Sequence, residues 1–225
     1  MKKFDVTALG EILIDFTSTG MSAGGQALYE RNPGGAPANV AVAVSRLGGS
    51  ASFIGKVGKD SFGVFLRDTL CSAGVETRGM RVSNEQHTTL AFVSLDDHGE
   101  RNFSFCRNPG ADTQLEPAEL DAELLRDSLF LHVGSLSLVC EPARSATLAA
   151  IRIVKEAGGY VSYDPNWRAP LWNDRASGVS AMKSLLPYAD LVKVSDEELA
   201  LLFGSPSLSE GAGEILSAGP RLVLV

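Results

Sequence analysis

The sequence predicts an α/β protein: one domain over residues 1–225, with a mostly parallel central sheet, helices on both faces and a small β lid. Three observations carry this. From Leu129 onward, short apolar runs alternate with helical segments, the order that builds parallel sheets flanked by helices. Polar landmarks stand just beyond the ends of apolar runs, at Asp15, at Asp164–Arg168 and at Ser195–Glu198, where open α/β sheets bind ligands. Two stretches in the first half lack helical period: about 17–32 suits a loop or short edge strands of a lid, and about 88–108 suits core-facing strands or a flap.

Taken in order, Val6 to Asp15 is rich in Val, Leu and Ile and reads as one strand buried on both faces, ending at Asp15. Thr17 to Asn32 is polar and glycine-rich, as a loop or short lid strands would be. In Gly34-Gly35-Ala36-Pro37-Ala38-Asn39, the paired glycines permit close backbone approach and Pro37 suits a first helical turn. The Ala/Val run that follows, stopped by Gly48-Gly49, predicts a helix apolar and buried on nearly every face. Asn39 is its polar exception, able to donate and accept beside free backbone N–H groups, whether to cap its own helix or to meet a ligand. Ser52–Val57 reads as a strand. Asp60 reads as the N-cap of a helix through Leu70, stopped at Gly74.

Gly58-Lys59-Asp60 is not a P-loop: Asp60 follows the lysine where Ser or Thr is needed, so Lys56 and Lys59 are taken as turn residues. Thr88–Leu95 and Arg101–Arg107 are strand-like around the turn Asp96-Asp97-His98-Gly99, with Phe103, Phe105 and Arg107 on one face. That face suits a core-facing strand or a flap over a ligand. Then come a strand at Leu129–Val133, a helix near Glu141–Ala157, a strand at Tyr160–Asp164 and a helix near Ser177–Leu186. Leu191–Val194, a helix from Asp196 to Phe203, another around Gly211–Ala218, and Arg221–Val225 complete the series.

Composition bounds the function. Of 225 residues, 44% are hydrophobic and 21% charged, ordinary for a globular protein with a sizeable core. A formal net charge of −7 argues against a nucleic-acid or anionic-membrane partner, while leaving room for a local anion site. Cys71, Cys106 and Cys140 are far apart and form no metal-ligand spacing with His87, His98 and His132. Thiols in a reducing compartment are expected. Asp5, Glu11 and Asp15 interrupt any signal-peptide core, and no apolar run is long enough to span a membrane. The reading is cytoplasmic.

The ordered span from Gly34 to Gly63, including Ser52-Phe53-Ile54-Gly55-Lys56-Val57-Gly58-Lys59-Asp60, resembles the N-terminal signature of the PfkB (ribokinase-like) sugar kinases. The resemblance extends from Gly10-Glu11-Ile12-Leu13-Ile14-Asp15 to the end of the chain and is nearest to the fructokinase branch. It implies a ribokinase-like three-layer α/β/α fold and ATP-dependent phosphorylation of a small sugar, fructose first, with 2-keto-3-deoxygluconate or a riboside as alternatives. It implies ATP and Mg²⁺ as cofactors and a homodimer paired through the lid. On the sugar side it implies Asp15, Gly34, Gly35 and Asn39; the lid residues Arg101, Phe103 and Arg107; and Asn166 and Arg168 of the Asp-Pro-Asn-Trp-Arg segment. A carboxylate accepting from sugar hydroxyls is sound chemistry for Asp15. On the phosphate side it implies Lys193, Ser195 and Glu198, with Ser195 where the family has Asn, and Glu198 acting on Mg²⁺ through water.

The resemblance places the catalytic base and the glycine-rich anion hole beyond Val225. Since Leu222–Val225 is an apolar run, the sequence reads as part of a longer kinase. The 225-residue chain is expected to hold sugar without transferring phosphate. A non-catalytic sugar-binding module is the alternative of another class. A dinucleotide-dependent oxidoreductase is disfavoured because no G-x-G-x-x-G follows the first strand.

Overall fold

The computed structural model describes residues 2–95, 101–204 and 207–225, and only the backbone of Leu95, Arg101, Asn102 and Phe103. In chain order the first half comprises β1 (Phe4–Leu9), β2 (Leu13–Met21), β3 (Ala27–Gly34), α1 (Ala36–Arg46), β4 (Ala51–Gly58), α2 (Ser61–Ser72), β5 (Glu76–Ser83), β6 (Leu90–Leu95) and β7 (Arg101–Cys106). The second half comprises α3 (Ala122–Arg126), β8 (Ser128–Gly134), α4 (Ala143–Glu156), β9 (Tyr160–Asp164), α5 (Arg175–Ser184), β10 (Leu191–Lys193), α6 (Asp196–Phe203), α7 (Leu208–Ser217) and β11 (Leu222–Leu224).

Seven strands form a parallel sheet in the order β11-β10-β9-β8-β1-β4-β5. Alternate residues feed opposite layers, as the period of two requires. Ala8 and Phe53 join the core built with Ala38 and Ala41 of α1 and Leu66 and Leu70 of α2. Their neighbours Leu9 and Ile54 join the larger core with Leu124, Ile151, Met182, Leu199 and Ile215 from α3 to α7. Strand order runs outward in both directions from β1 and β8, so their C-terminal ends form the switch point at which such sheets bind ligands. The register aligns Leu9 with both Ile54 and Val133, which brings Glu11 and Ser135 to the same edge.

A second sheet, β3-β2-β6-β7, forms the lid. β2 pairs antiparallel with β3 and parallel with β6, and β6 pairs antiparallel with β7 through Leu95 and Arg101; the turn expected at Asp96–Gly99 lies outside the described residues. Phe16 of β2 anchors the lid, meeting Phe62 of α2 edge-on at 5.8 Å and stacking on Phe92 of β6 at 5.2 Å. Arg31 of β3 lies 3.8 Å above the Phe65 ring, a cation–π contact with the same helix.

Three expectations need correction. The Val6–Asp15 run is two strands in two sheets. β1 makes its last tie where Gly10 N–H donates to the Ile54 carbonyl at 3.1 Å, and the chain then crosses to the lid over Gly10–Ile12. Both strands bury apolar residues, so composition does not mark the bend. α1 buries only Pro37, Ala38 and Ala41, while Leu47 beyond its end is 88% exposed. An outer-layer helix turns one stripe to the sheet, and small residues on its other side cost little in water. Lys56 lies inside β4, where its ammonium pairs with Glu119 at 2.7 Å and donates to the Gln114 carbonyl at 2.9 Å. Lys59 does stand in the turn, its N–H bonded to the Ser83 carbonyl. The edge strand β5 and the short helix α3 carry too little period to have been read.

Asp60 caps α2 as its sequence position suggested, accepting from Gly63 N–H at 2.8 Å; it also accepts from the N–H and hydroxyl of Thr88 at 2.8 and 2.7 Å. Burial pushes its carboxyl up, but those donors outweigh burial and hold it below the usual 3.8. A depressed folded-state value contributes stability above the unfolded value and loses it as pH falls through the folded one. Asp60→Ala should therefore cost about 1–2 kcal/mol in urea unfolding at pH 7. The gap between variant and wild type should shrink as pH falls below about 4.

Candidate functional site

A cavity of about 710 Å³ lies between the C-terminal edge of the parallel sheet and the inner face of the lid. Its floor is Glu11 and Leu136 at the switch point, with Gly35, Ala36 and Asn39 from the start of α1. Its roof follows strand parity. Leu13, Asp15 and Thr17 of β2 face it, whereas Ile14 and Phe16 between them belong to the core side. Asn32, opposite Asp15 in the register, faces it too and donates weakly to Thr17 Oγ1 at 3.4 Å. Val93 and Phe105 extend the roof across β6 and β7, and Asn166 and Arg168 close the side beyond β9.

Close approach requires a glycine at 35, where backbone is met, and crowds position 34, where side chains are met. A Cβ on Gly34 would overlap the Asp15 carboxylate; one on Gly35 would overlap the Glu11 carbonyl oxygen. Gly35 also has φ 109°, a conformation L side chains rarely adopt, and serves as N-cap of α1. With no side chain to cap the helix, the Ala36 N–H donates instead to Glu11 Oε1 at 3.0 Å. Asn39 makes no capping bond and opens into the cavity.

Sequence reasoning misses Glu11, because nothing in the apolar Val6–Asp15 run marks the break that brings its carboxylate to the cavity. It is 4% exposed, and burial pushes its carboxyl up to about 7 against the pull of its own N–H and of Arg107. Arg107 does not line the cavity. Its guanidinium donates to Asp112 through Nε at 2.8 Å and Nη2 at 2.7 Å, and to the Leu136 carbonyl at 3.0 Å. The side chains are 4% and 1% exposed, and Thr89 Oγ1 donates to the other Asp112 oxygen. Strand parity had grouped Arg107 with Phe105, but β7 ends at Cys106, so Arg107 is released from the strand and turns inward. Phe103 pairs with Val93 through its backbone; its side chain and that of Arg101 lie outside the described residues.

Lys193, Ser195 and Glu198, expected on a phosphate side, are not among the residues lining the cavity. Ser195 and Glu198 form a reciprocal capping box at the start of α6: Ser195 Oγ accepts from Glu198 N–H at 3.2 Å and Glu198 Oε2 from Ser195 N–H at 2.9 Å. Glu198 Oε1 accepts from Trp167 N–H at 2.7 Å, so both its oxygens are bound to backbone. Lys193 is half-exposed and sits 3.4 Å from Asp164, whose carboxyl burial raises and Lys193 lowers. Asn166 holds the left-handed conformation at φ 49°, its N–H donating to Asp164 at 3.1 Å. Among the described residues no three His, Cys, Asp or Glu groups cluster to hold a metal.

Comparison with known proteins places this arrangement. The pfkB family carbohydrate kinase model matches residues 3–225. The chain is 45% identical over 223 residues to a protein named fructokinase-2 from Solanum lycopersicum, covering 98% of this chain and 68% of that one. Among solved structures it is similar to an ATP-bound fructokinase from Xylella fastidiosa, with TM-score 0.88 and 35% identity over 98% of this chain and 72% of that one. It is also similar to a double-mutant fructokinase from Vibrio cholerae O395 bound to fructose, ADP and potassium ion, with TM-score 0.86 and 36% identity over 99% and 70%. The chain belongs to the pfkB family of carbohydrate kinases.

The Arg107–Asp112 pair yields a direct expectation. Asp112→Ala leaves a buried guanidinium without its carboxylate and should cost about 3–5 kcal/mol in urea unfolding. Replacing both, as Arg107→Met with Asp112→Leu, should recover most of that loss, because no unpaired charge remains.

Proposed function

We propose that the cavity binds a small sugar, fructose first, and that the chain contributes the acceptor side of an ATP-dependent sugar phosphorylation. One observation carries the reading: Asp15, Asn39, Asn166 and Arg168, distant in sequence, line a single cavity at the switch point beneath a lid. A carboxylate and two amides accept from and donate to adjacent hydroxyls, and the guanidinium supplies a rigid fork of donors. The fructokinase names of the relatives, and the fructose and ADP of one solved neighbour, support the choice of sugar. Asp15 is assigned to hydroxyl contacts from the roof and Asn39 from the floor, with Gly34 and Gly35 allowing the approach of β2 and α1. Arg168 in the cavity also favours a sugar acid such as 2-keto-3-deoxygluconate as a second substrate to test.

ATP is assigned to the side of β9 and β10, next to Lys193 and Ser195; the ATP-bound neighbour supports nucleotide use by the fold. Mg²⁺ would supply charge neutralisation at the phosphates. The ion would be held by water and phosphate, Glu198 acting at one remove through the backbone it orders. Pairing of two copies through the lid belongs to the same reading, supported by exposed Met21 and Leu28 at the tip of the β2–β3 hairpin. So does a cytoplasmic setting, supported by the free thiols of all three cysteines. Among the described residues, no helix is long and apolar enough to cross a membrane.

Calorimetric titration with D-fructose and 2-keto-3-deoxygluconate tests the reading. Asp15→Ala and Asn39→Ala should each weaken sugar binding about ten- to a hundred-fold, the loss of a charge-assisted or paired hydrogen bond. Melting temperatures should stay close to wild type. Unchanged affinity in both variants would remove the cavity from the sugar site.

A further inference from the structure

One polar group on the cavity floor is left unused by those contacts. Glu11 Oε1 is taken by Ala36 N–H, but Oε2 is buried and has no hydrogen-bond partner among the described residues. Only two other buried side-chain polar atoms there lack partners, Ser135 Oγ and Trp172 Nε1. Ser135 follows β8, the strand beside β1, so two of the three stand together at the switch point. Buried polar groups are nearly always satisfied, and an orphaned carboxyl oxygen in the wall of a binding cavity points to a ligand donor.

We propose that Glu11 is a specificity-determining residue of the cavity: Oε1 fixes the start of α1, and Oε2 accepts a hydrogen bond from a hydroxyl of the bound sugar. This rests on the reading of the cavity as a sugar site. It extends that reading by giving the floor its own carboxylate, opposite the Asp15 carboxylate of the roof. Accepting from a hydroxyl favours the ionised form. Binding therefore lowers a carboxyl that burial holds near 7, and by linkage affinity rises as pH climbs through that value.

The titratable and charged groups around Glu11 are the Arg107–Asp112 pair behind it, the Cys140 thiol near Arg107, and Asp15 and Arg168 across the cavity. The first turn of α1 carries no acidic residue, and His132 of β8 is kept neutral by burial, which pushes it down to about 4.

The experiment is calorimetric titration of the chain with D-fructose between pH 5.5 and 8.5, in buffers of different ionisation enthalpy, for wild type and Glu11→Gln. Glutamine keeps an acceptor for Ala36 N–H and removes the titrating carboxyl. Wild type should bind about tenfold more tightly at pH 8.5 than at 5.5, a shift of one pKa unit, and should release protons on binding near pH 7. Glu11→Gln should bind about tenfold more weakly at pH 8.5, with affinity flat across the range.

Wild-type binding with neither pH dependence nor proton release would overturn the role of Glu11 while leaving the sugar site standing. Glu11→Gln binding that tracks wild type at every pH would do the same and reduce Glu11 to a clamp on α1. Wild type that binds neither fructose nor 2-keto-3-deoxygluconate would overturn the sugar reading and this proposal together. The proton-release measurement needs no variant, so a poorly folded Glu11→Gln leaves the proposal open to refutation.

Discussion

A guanidinium and a carboxylate, both almost wholly removed from water, hold the lid to the sheet. Arg107 leaves the end of β7, Asp112 sits in the short 3-10 turn Ala111–Gln114, and Nη2 of Arg107, which also contacts Asp112, reaches the Leu136 carbonyl just past β8. Thr89, at the foot of β6, completes the set by donating to Asp112. Two lid strands are thus fixed to the switch point through a single ion pair. Such a pair contributes little net stability against an apolar substitute, since desolvation offsets most of the attraction. Its geometric demand is high, because a fork-shaped donor satisfies both partners in only one arrangement. The roof of the cavity therefore sits at a defined height over its floor.

The same pair also reaches the floor electrostatically, its two members acting on Glu11 in opposite directions. Burial pushes the Glu11 carboxyl upward; its own N–H is the largest opposing pull, followed by Arg107, while Asp112 adds to the push. The carboxyl comes to rest near 7 rather than far above it. Ala36 N–H adds a smaller stabilisation of the ionised form, in keeping with the positive end of a helix.

Much of the α/β frame was legible because its signals are local. Asp60 announces α2 by its own capping chemistry, Gly48 and Gly74 mark helix ends by positive φ, and the β–α alternation after Leu129 needs no tertiary knowledge. What could not be read depends on partners distant in sequence. The break at Gly10–Ile12 separates two apolar strands of like composition, so Asp15 was placed at a central strand's end when it belongs to the lid. Lys56 looked like a turn residue because Glu119, which neutralises it, lies 63 positions away. Asn32 and Thr17 joined the cavity only once the β2–β3 register was known. A slip of one residue would have turned both to the other face. Arg107 shows the converse: parity put it with Phe105, but parity stops where the strand does.

Glu198 links the two sides of the crevice. One oxygen closes the capping box with Ser195 on α6, and the other holds Trp167 N–H, between the cavity residues Asn166 and Arg168. The acidic first turn Asp196-Glu197-Glu198 thus does more than favour a helix start by its charge. It fastens the loop after β9, whose Asn166 is held at a positive φ that asparagine tolerates better than most residues. Trp167 stacks on Trp172 at 5.8 Å, and both rings crowd Gly178 of α5 so closely that a Cβ there would collide with them. The loop is therefore wedged from α5 and tied from α6. A change at the start of α6 reaches the cavity through this one hydrogen bond without any residue of α6 lining it. Ser195 fits the arrangement, because a hydroxyl suffices to cap Glu198 N–H and leaves both carboxylate oxygens to the backbone.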